Sequence, residues 1–464
     1  MNKVHIIGIA GVLSGALAVE LKKQGWEVSG SDKERIYPPV SLLLEKNNIK
    51  IFLGYDESNI KKDVDLVIVA GSALLVDKDN PEVVKAKQLS KEVISQAQAI
   101  EKFVIKKESL VIAGTYGKTT TTSLCTSILQ KSELDPSYMI GGVAIDMEYP
   151  SLKISDSEWS VVEGDEYPTL HFDNRPKFLL YHPKYLILTS AMWEHPDVYK
   201  SEKEYLDEFI KLVAQIPDDG FILANSEDDN LKNILQGTKH VFWYSLKRNH
   251  KSDFWGENIT LNQSGISLDV CSSRKRISIS SKMMGMHNAE NIVAASGAGI
   301  LLGIDENIIS LGITSAPLIR KRMQMIENID NQVIIHDFSQ TKPRIKAAIQ
   351  SAKDHFPDHK IIVCFYPHYS GWKEKESLNG LSETFEKADA VIITKVSYAK
   401  AKDKEVTGSK IKNLIGEKAL YLPLDENVPN KIIESLSQKS VVIFMSSGDY
   451  RQLDQQVINN LKNK

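Results

Sequence analysis

A short apolar run, Leu110-Val111-Ile112-Ala113, stops at Gly114-Thr115-Tyr116-Gly117-Lys118-Thr119-Thr120, and an alternating helical pattern runs from Thr122 to Leu129. A strand that feeds a glycine-bracketed loop and then a helix leaves this part of the chain few ways to fold. The glycines let the backbone close on phosphate oxygens, the helix N-terminus offers N–H groups with partial positive charge, and Lys118 adds a full charge. A threonine hydroxyl can ligate Mg²⁺, and Thr119 and Thr120 are the two that follow the lysine. The expected ligand is a nucleoside triphosphate. The loop is a shortened one, because the eight-residue G-x-x-x-x-G-K-[ST] motif would need a glycine at Ile112.

A length of 464 residues with 42% hydrophobic content predicts about three domains with real cores. The 57 basic residues nearly balance the 60 acidic ones, so no field for nucleic acid or a membrane surface is implied. Cys125, Cys271 and Cys364 are far apart and form no C-x-x-C pair, which points away from zinc or a redox couple and towards a reducing cytoplasm. No apolar run approaches the length of a membrane span.

Val4-His5-Ile6-Ile7 reads as a strand rather than an apolar leader. It runs into a loop containing Gly8 and Gly11, then a helix ending near Gly25, then the strand Glu27-Val28-Ser29-Gly30-Ser31 with Asp32 at its end. This is a Rossmann-like βαβ unit with an acid placed to meet a ribose or a base. Its glycine spacing departs from G-x-G-x-x-G, so a nucleotide other than NAD is expected. A third strand, Leu66 to Ala70, ends in Gly71-Ser72, read as another loop at the carboxyl edge of the same sheet. Gly8, Gly11, Ser31, Asp32 and Ser72 are its candidate substrate contacts. Helical patterning is expected from Pro81 to Phe103, and the charged Lys106-Lys107-Glu108 marks a first boundary. Strands and helices alternate to Leu223, short strands over 241–279 suggest an antiparallel insert or extension, and a third α/β unit begins near Pro317. Its apolar runs at 333–335, 361–365, 390–393 and 441–445 read as buried parallel strands. The chain is therefore α/β with three domains: residues 1–107 Rossmann-like, 108–316 a P-loop ATPase-like α/β domain, and 317–464 Rossmann-like again.

Beyond the phosphate loop, the strand Trp159 to Val162 delivers Glu163-Gly164-Asp165-Glu166 at its carboxyl end, where hard oxygen ligands would hold Mg²⁺ against triphosphate charge. His195 follows a further strand, Tyr185 to Thr189, and is a candidate metal ligand beside an ordinary loop histidine. Asn288 and Asn291 stand three apart where a helix opens, and an asparagine amide can match an adenine edge or simply cap the helix. Arg322 lies in Arg320-Lys321-Arg322 at the second boundary, in reach of a phosphoryl group or merely part of a solvated linker.

Taken in order, Gly114-Thr115-x-Gly117-Lys118-Thr119-Thr120, Glu163-x-Asp165-Glu166, His287-Asn288-x-x-Asn291, Arg322-Met323-Gln324 and Asp337-Phe338 resemble the Mur ligases, ATP-dependent amide-forming enzymes of peptidoglycan assembly, over essentially the whole chain. The resemblance implies ATP and Mg²⁺, with Lys118 at the β/γ phosphates, Thr119 and Glu163 at one Mg²⁺ and His195 at a second. It places Asn288 and Asn291 at adenine, Arg322 at the transferring phosphate and Asp337 at the ribose, and it makes the N-terminal glycine loop a UDP-sugar site. Two branches share such an N-terminal domain: one adds L-alanine to UDP-N-acetylmuramate, the other adds a recovered murein tripeptide. Tyr37-Pro38-Pro39 and Asp173-x-Arg175-x-Lys177-Phe178 look like the peptide-adding branch of cell-wall recycling, with Arg175 and Lys177 as anchors for an anionic substrate. That branch is the expectation here. L-alanine addition and a non-catalytic nucleotide-binding Mur-like protein are the alternatives, the latter because the family's D-[FY]-A-H-x-P reads Asp337-Phe338-Ser339-Gln340-Thr341-Lys342-Pro343.

Overall fold

Most strands at the sheet centres are runs of apolar residues, since a parallel strand covered on both faces has little polar side to show. In the computed structural model, which describes residues 1–33, 36–76, 79–146, 150–170, 173–194, 198–367, 378–396, 406–448 and 450–463, these runs build three sheets. The first holds β1 (Lys3–Ile7), β2 (Glu27–Asp32), β3 (Lys50–Leu53), β4 (Leu66–Val69) and β5 (Glu92–Ser95) in the order β3-β2-β1-β4-β5, all parallel. The segment expected to be helical from Pro81 to Phe103 is broken by β5 into helices Pro81–Gln88 and Gln96–Phe103. A capping box at Ser95 and Gln98 starts the second of them. Gly71-Ser72 is the first turn of the helix Gly71–Val76, not a loop.

The second sheet contains β6 (Glu108–Ala113), β7 (Ser137–Met139), β8 (Leu152–Lys153) and β9 (Trp159–Gly164). A two-stranded hairpin, β10 (Pro168–Leu170) with β11 (Asp173–Pro176), stands apart from it. β12 (Tyr185–Leu188), β13 (Phe221–Asn225), β14 (Val241–Ser245), β15 (Phe254–Asn262), β16 (Gly265–Ser272) and β17 (Arg276–Ser281) complete the order β17-β16-β15-β14-β13-β12-β6-β9-β7-β8. β14 pairs parallel with both β13 and β15, so Val241 to Tyr244 extends the main sheet instead of opening an antiparallel insert. The third sheet runs β18-β19-β23-β20-β21-β22, from β18 (Gln324–Ile329), β19 (Gln332–Asp337), β20 (Lys360–Phe365), β21 (Ala390–Ile393), β22 (Ala419–Tyr421) and β23 (Ser440–Met445). Only β18 is antiparallel to its neighbour.

The chain divides into two compact units: residues 1–257, 269–279 and 290–317, and residues 258–268, 280–289 and 318–464. One core in the first unit runs without a break from Val4 to Leu235. The second unit has a core on each face of its own sheet, one around Val363 and Phe365, the other around Ile362 and Phe444. Among the described residues no helix is long and apolar enough to cross a membrane.

Candidate active site

β6 is central in its sheet, between β12 and β9, and Leu110, Val111 and Ile112 are fully buried. Each such side chain contributes about 1.5–3 kcal/mol, which fixes where the next residues emerge. They emerge as the loop 114–117 and the helix Lys118–Lys131. Gly114 has φ +131°, and a Cβ there would lie 2.7 Å from the Ser190 backbone nitrogen. Gly117, the helix N-cap, has φ +84° and would put a Cβ 2.5 Å from Asn291 Oδ1. No side chain fits either position. The helix is lined with threonines on buried faces, and Thr122 and Thr126 settle their hydroxyls by donating to the carbonyls of Lys118 and Thr122 one turn back.

Lys118 Nζ donates to the Gly114 carbonyl at 2.5 Å and to Glu166 Oε2 at 2.8 Å. Burial works to lower the ammonium's pKa, but Glu166, Glu163 and Asp165 outweigh it and hold the group above its ordinary value, so it stays charged. Thr119 Oγ1 donates to Glu163 Oε1 at 3.2 Å, while Glu163 Oε2 accepts the Gly141 N–H at 2.9 Å. A hydroxyl and a carboxylate side by side at a helix N-terminus are the hard-oxygen donors that Mg²⁺ takes along with water and phosphate. They fit the cation. His195, the expected third ligand, lies outside the described residues, among which no cluster of three His, Cys, Asp or Glu side chains forms a metal cage.

Several expected contacts turn inward instead. Thr115 donates to the Met192 carbonyl at 2.7 Å and sits 3.1 Å from Tyr205 Oη, which braces the loop from behind. Thr120 is buried on the helix. Asn291 accepts from Thr121 Oγ1 at 3.3 Å, so it supports the same loop. Lys177 and Arg175, read as anchors for an anionic substrate, are ion-paired with Asp165 (2.5 Å) and Asp173 (2.8 Å). The Lys177 pairing matters to the site. Burial pushes the Asp165 carboxyl up, yet Lys177 and Lys118 overcome it and keep the group below its usual range. The Lys118–Glu166 pair was not read from the sequence, where Glu166 was one of three equivalent acids; its 2% exposure sets it apart.

In the N-terminal sheet, the Gly8 and Ile9 N–H groups both donate to the Ser31 carbonyl, and Asp32 Oδ2 accepts the Ala10 N–H at 2.9 Å. Asp32 thus shapes the glycine loop, and Gly11 caps the helix Val12–Lys23. The Ser31 side chain is fully buried, donating to Glu82 Oε2 beside His5 Nε2.

In the second unit, Asn288 donates from its amide to the Met284 carbonyl at 2.7 Å. The Arg322 guanidinium stacks 5.2 Å over the Phe338 ring. Asp337 is engaged by backbone, its two oxygens accepting the Met323 and Ser339 N–H groups at 2.9 and 2.8 Å. Gln340 donates to the Ser339 and Tyr366 carbonyls, at 3.0 and 3.2 Å, and ties strand ends together.

Three family descriptions match the chain in succession: Mur ligase family, catalytic domain, over residues 3–108; Mur ligase middle domain over 112–299; and Mur ligase, glutamate ligase domain, over 321–448. A UDP-N-acetylmuramate–L-alanine ligase of Caldicellulosiruptor saccharolyticus is 31% identical over 97% of this chain and 96% of its own length. The chain belongs to the Mur ligase family. Its fold is matched over both full lengths by the UDP-N-acetylmuramate-alanine ligase of Thermotoga maritima, with a TM-score of 0.80 at 24% identity. It is also matched over 100% of this chain and 99% of the other by a murein peptide ligase of Psychrobacter arcticus, with a TM-score of 0.73 at 23%. As a Mur ligase the chain is an ATP-dependent acid–amino-acid ligase of the peptidoglycan-building type. The expected peptide-adding, recycling function is overturned by the full-length relative, whose name specifies L-alanine. In the motif behind that expectation, Asp173 and Arg175 pair with each other on one hairpin strand, and Lys177 pairs with Asp165.

Proposed function

We propose that this Mur ligase joins L-alanine to UDP-N-acetylmuramate, with ATP as the activating co-substrate and Mg²⁺ as its counter-ion. The observation that carries the reading is the convergence of Lys118, Thr119 and Glu163 at the phosphate loop; the choice of L-alanine is supported by the relative's name. A carboxylate is a poor electrophile, so the sugar's carboxylate attacks the γ-phosphate of ATP, the bond to the β,γ-bridging oxygen breaks, ADP leaves and an acyl phosphate results. The amine then attacks the carbonyl and phosphate leaves. Lys118 and the helix N-terminus take up the charge that develops on the phosphoryl oxygens. Mg²⁺, held by Thr119 and Glu163 and in the family's pattern by His195 as well, would neutralise triphosphate charge. Arg322 serves the transferring phosphoryl group, and Gly8 and Gly11 present backbone to the UDP portion under the control of Asp32. Residues 1–107, 108–316 and 317–464 act as the sugar-nucleotide, ATP and amine domains.

The test is phosphate release with UDP-N-acetylmuramate and MgATP, supplied with either L-alanine or L-alanyl-γ-D-glutamyl-diaminopimelate. L-Alanine should be preferred by on the order of 10²-fold or more in kcat/KM, since a site that pairs a small polar substrate discriminates strongly. Equal or better use of the tripeptide would overturn the reading.

A further inference from the structure

Behind the glycine loop of the N-terminal sheet lies a polar cluster in which His5, Ser31 and Glu82 are each fully buried. Glu82 enters it from the first turn of the helix Pro81–Gln88, where Asn80 caps the turn by accepting the Glu82 N–H at 3.0 Å. Its Oε2 accepts the Ser31 hydroxyl at 2.5 Å and lies 3.4 Å from His5 Nε2. Its Oε1 accepts the Asn59 amide at 2.6 Å and the Asp56 N–H at 3.3 Å. One carboxyl group thus fastens the end of β2, the connection after β3 and a helix start, three segments at the carboxyl edge where an open α/β sheet takes its ligand. Burying such a group is unfavourable where an apolar side chain could fill the same space, and what it adds is a fixed direction for its partners. Ser31 passes that direction on. With its hydroxyl held by Glu82, its carbonyl accepts both the Gly8 and the Ile9 N–H, at 2.9 and 3.1 Å. Gly8 has φ +85°, and a Cβ on Gly30 would lie 2.5 Å from Ile9 Cδ1, so the strand end and the loop are packed directly on each other.

We infer that Glu82 is a positioning residue for the sugar nucleotide: through Ser31 it holds the glycine loop in the shape that receives the UDP portion. The inference rests on the proposed role of Gly8 and Gly11 at that group. The UDP end of the substrate is remote from the bonds that change, so a loosened loop weakens the ground state and the transition state alike. Loss of the network therefore raises KM for the sugar nucleotide and spares kcat.

The experiment measures kcat and the KM values for UDP-N-acetylmuramate and for MgATP, with L-alanine saturating, in Glu82→Ala, Glu82→Gln, Ser31→Ala, the pair Glu82→Ala with Ser31→Ala, and Gly11→Asp. Glu82→Ala and Ser31→Ala should each raise KM for the sugar nucleotide about tenfold, with kcat and the KM for ATP within about twofold of the parent. The pair should exceed the larger single effect by less than about twofold, as groups acting through one contact do. Glu82→Gln, which keeps one acceptor oxygen, should lose less than Glu82→Ala. A folded Glu82→Ala or Ser31→Ala with the parental KM, equal losses for both nucleotides, or full multiplication in the pair overturns the inference. Should Glu82→Ala not fold, as judged by its melting curve, Ser31→Ala and Glu82→Gln decide by the same split between the two KM values. Gly11→Asp tests the loop itself. Gly11 caps the helix Val12–Lys23 at φ −65°, where aspartate is a favoured cap and a Cβ meets nothing nearer than 3.5 Å. The variant should fold, set a negative charge against the diphosphate and raise the same KM by more than about tenfold. An unchanged KM in Gly11→Asp overturns the UDP reading of the loop, and so is distinguishable from failure of the network behind it.

Discussion

Lys118 gathers more of the chemistry than any other side chain, because a single ammonium answers to a backbone carbonyl and three carboxylates at the mouth of a phosphate loop. Truncating it as Lys118→Ala should remove about 10³-fold from ligation, the scale of a placed electrostatic group. A folded variant that turns over near normally would displace it from the mechanism. Glu163 is separable from Lys118 by experiment. Glu163→Gln keeps an acceptor for the Gly141 N–H but loses the charge, so the Mg²⁺ concentration for half-maximal rate should rise at least tenfold. An unchanged Mg²⁺ titration would pass the ligand role to Asp165. Side-chain direction is what the sequence carries least of. Ser29 and Ser31 stand two apart on β2, so both face His5, and Glu82 receives the Ser31 hydroxyl. Nothing in the one-dimensional pattern says that this face is the inner one. The Lys177–Asp165 ion pair was hidden for the same reason, since its two partners meet only once the chain has folded.

Among elements, the strand–loop–helix at 108–131 was legible because an apolar run, two glycines and a helical period coincide there. β5 was not, since four residues with mixed burial look like a helix turn, and β14 looked antiparallel until its parallel partners were known. The helix Met286–Leu301 adds a feature no pattern announces. Burial, with Glu227 and Asp228 adding to it against a hydrogen bond from Asn225, pushes the Glu290 carboxyl up to about 7. Its folded pKa is raised above the 4.5 of an ordinary glutamate, so the folded state keeps a proton that the unfolded state gives up, and stability falls as pH rises from 4.5 towards 7. Glu290→Gln should therefore match the parent at pH 4 and exceed it at pH 8, by at most about 3 kcal/mol. Urea midpoints at the two pH values measure this, and a variant no more stable at pH 8 than its parent would refute it.

For the whole molecule, the first unit unites the N-terminal sheet with the central one, and Glu20 is a tie between them. The carboxylate is 3% exposed and accepts the Ile154 N–H at 2.9 Å, with Lys23 on its other oxygen at 2.6 Å. Calorimetry should show residues 1–107 melting together with the central sheet. Glu20→Ala should lower that shared transition by about 1–3 kcal/mol, the cost of a buried donor left unpaired. A transition of the N-terminal sheet resolved from that of the central sheet would contradict the shared core. The acids around the phosphate loop bear on how the enzyme is supplied. Glu163, Asp165 and Glu166 set three negative charges against the two positive charges of Lys118 and Lys177, so the resting cleft repels a bare polyphosphate. Uncomplexed ATP should then inhibit only weakly when added in excess of Mg²⁺, whereas strong competition would show that the cleft accepts it. A cell short of magnesium would starve this ligation step with its ATP pool still full, so cell-wall synthesis would follow the ion as closely as the energy charge.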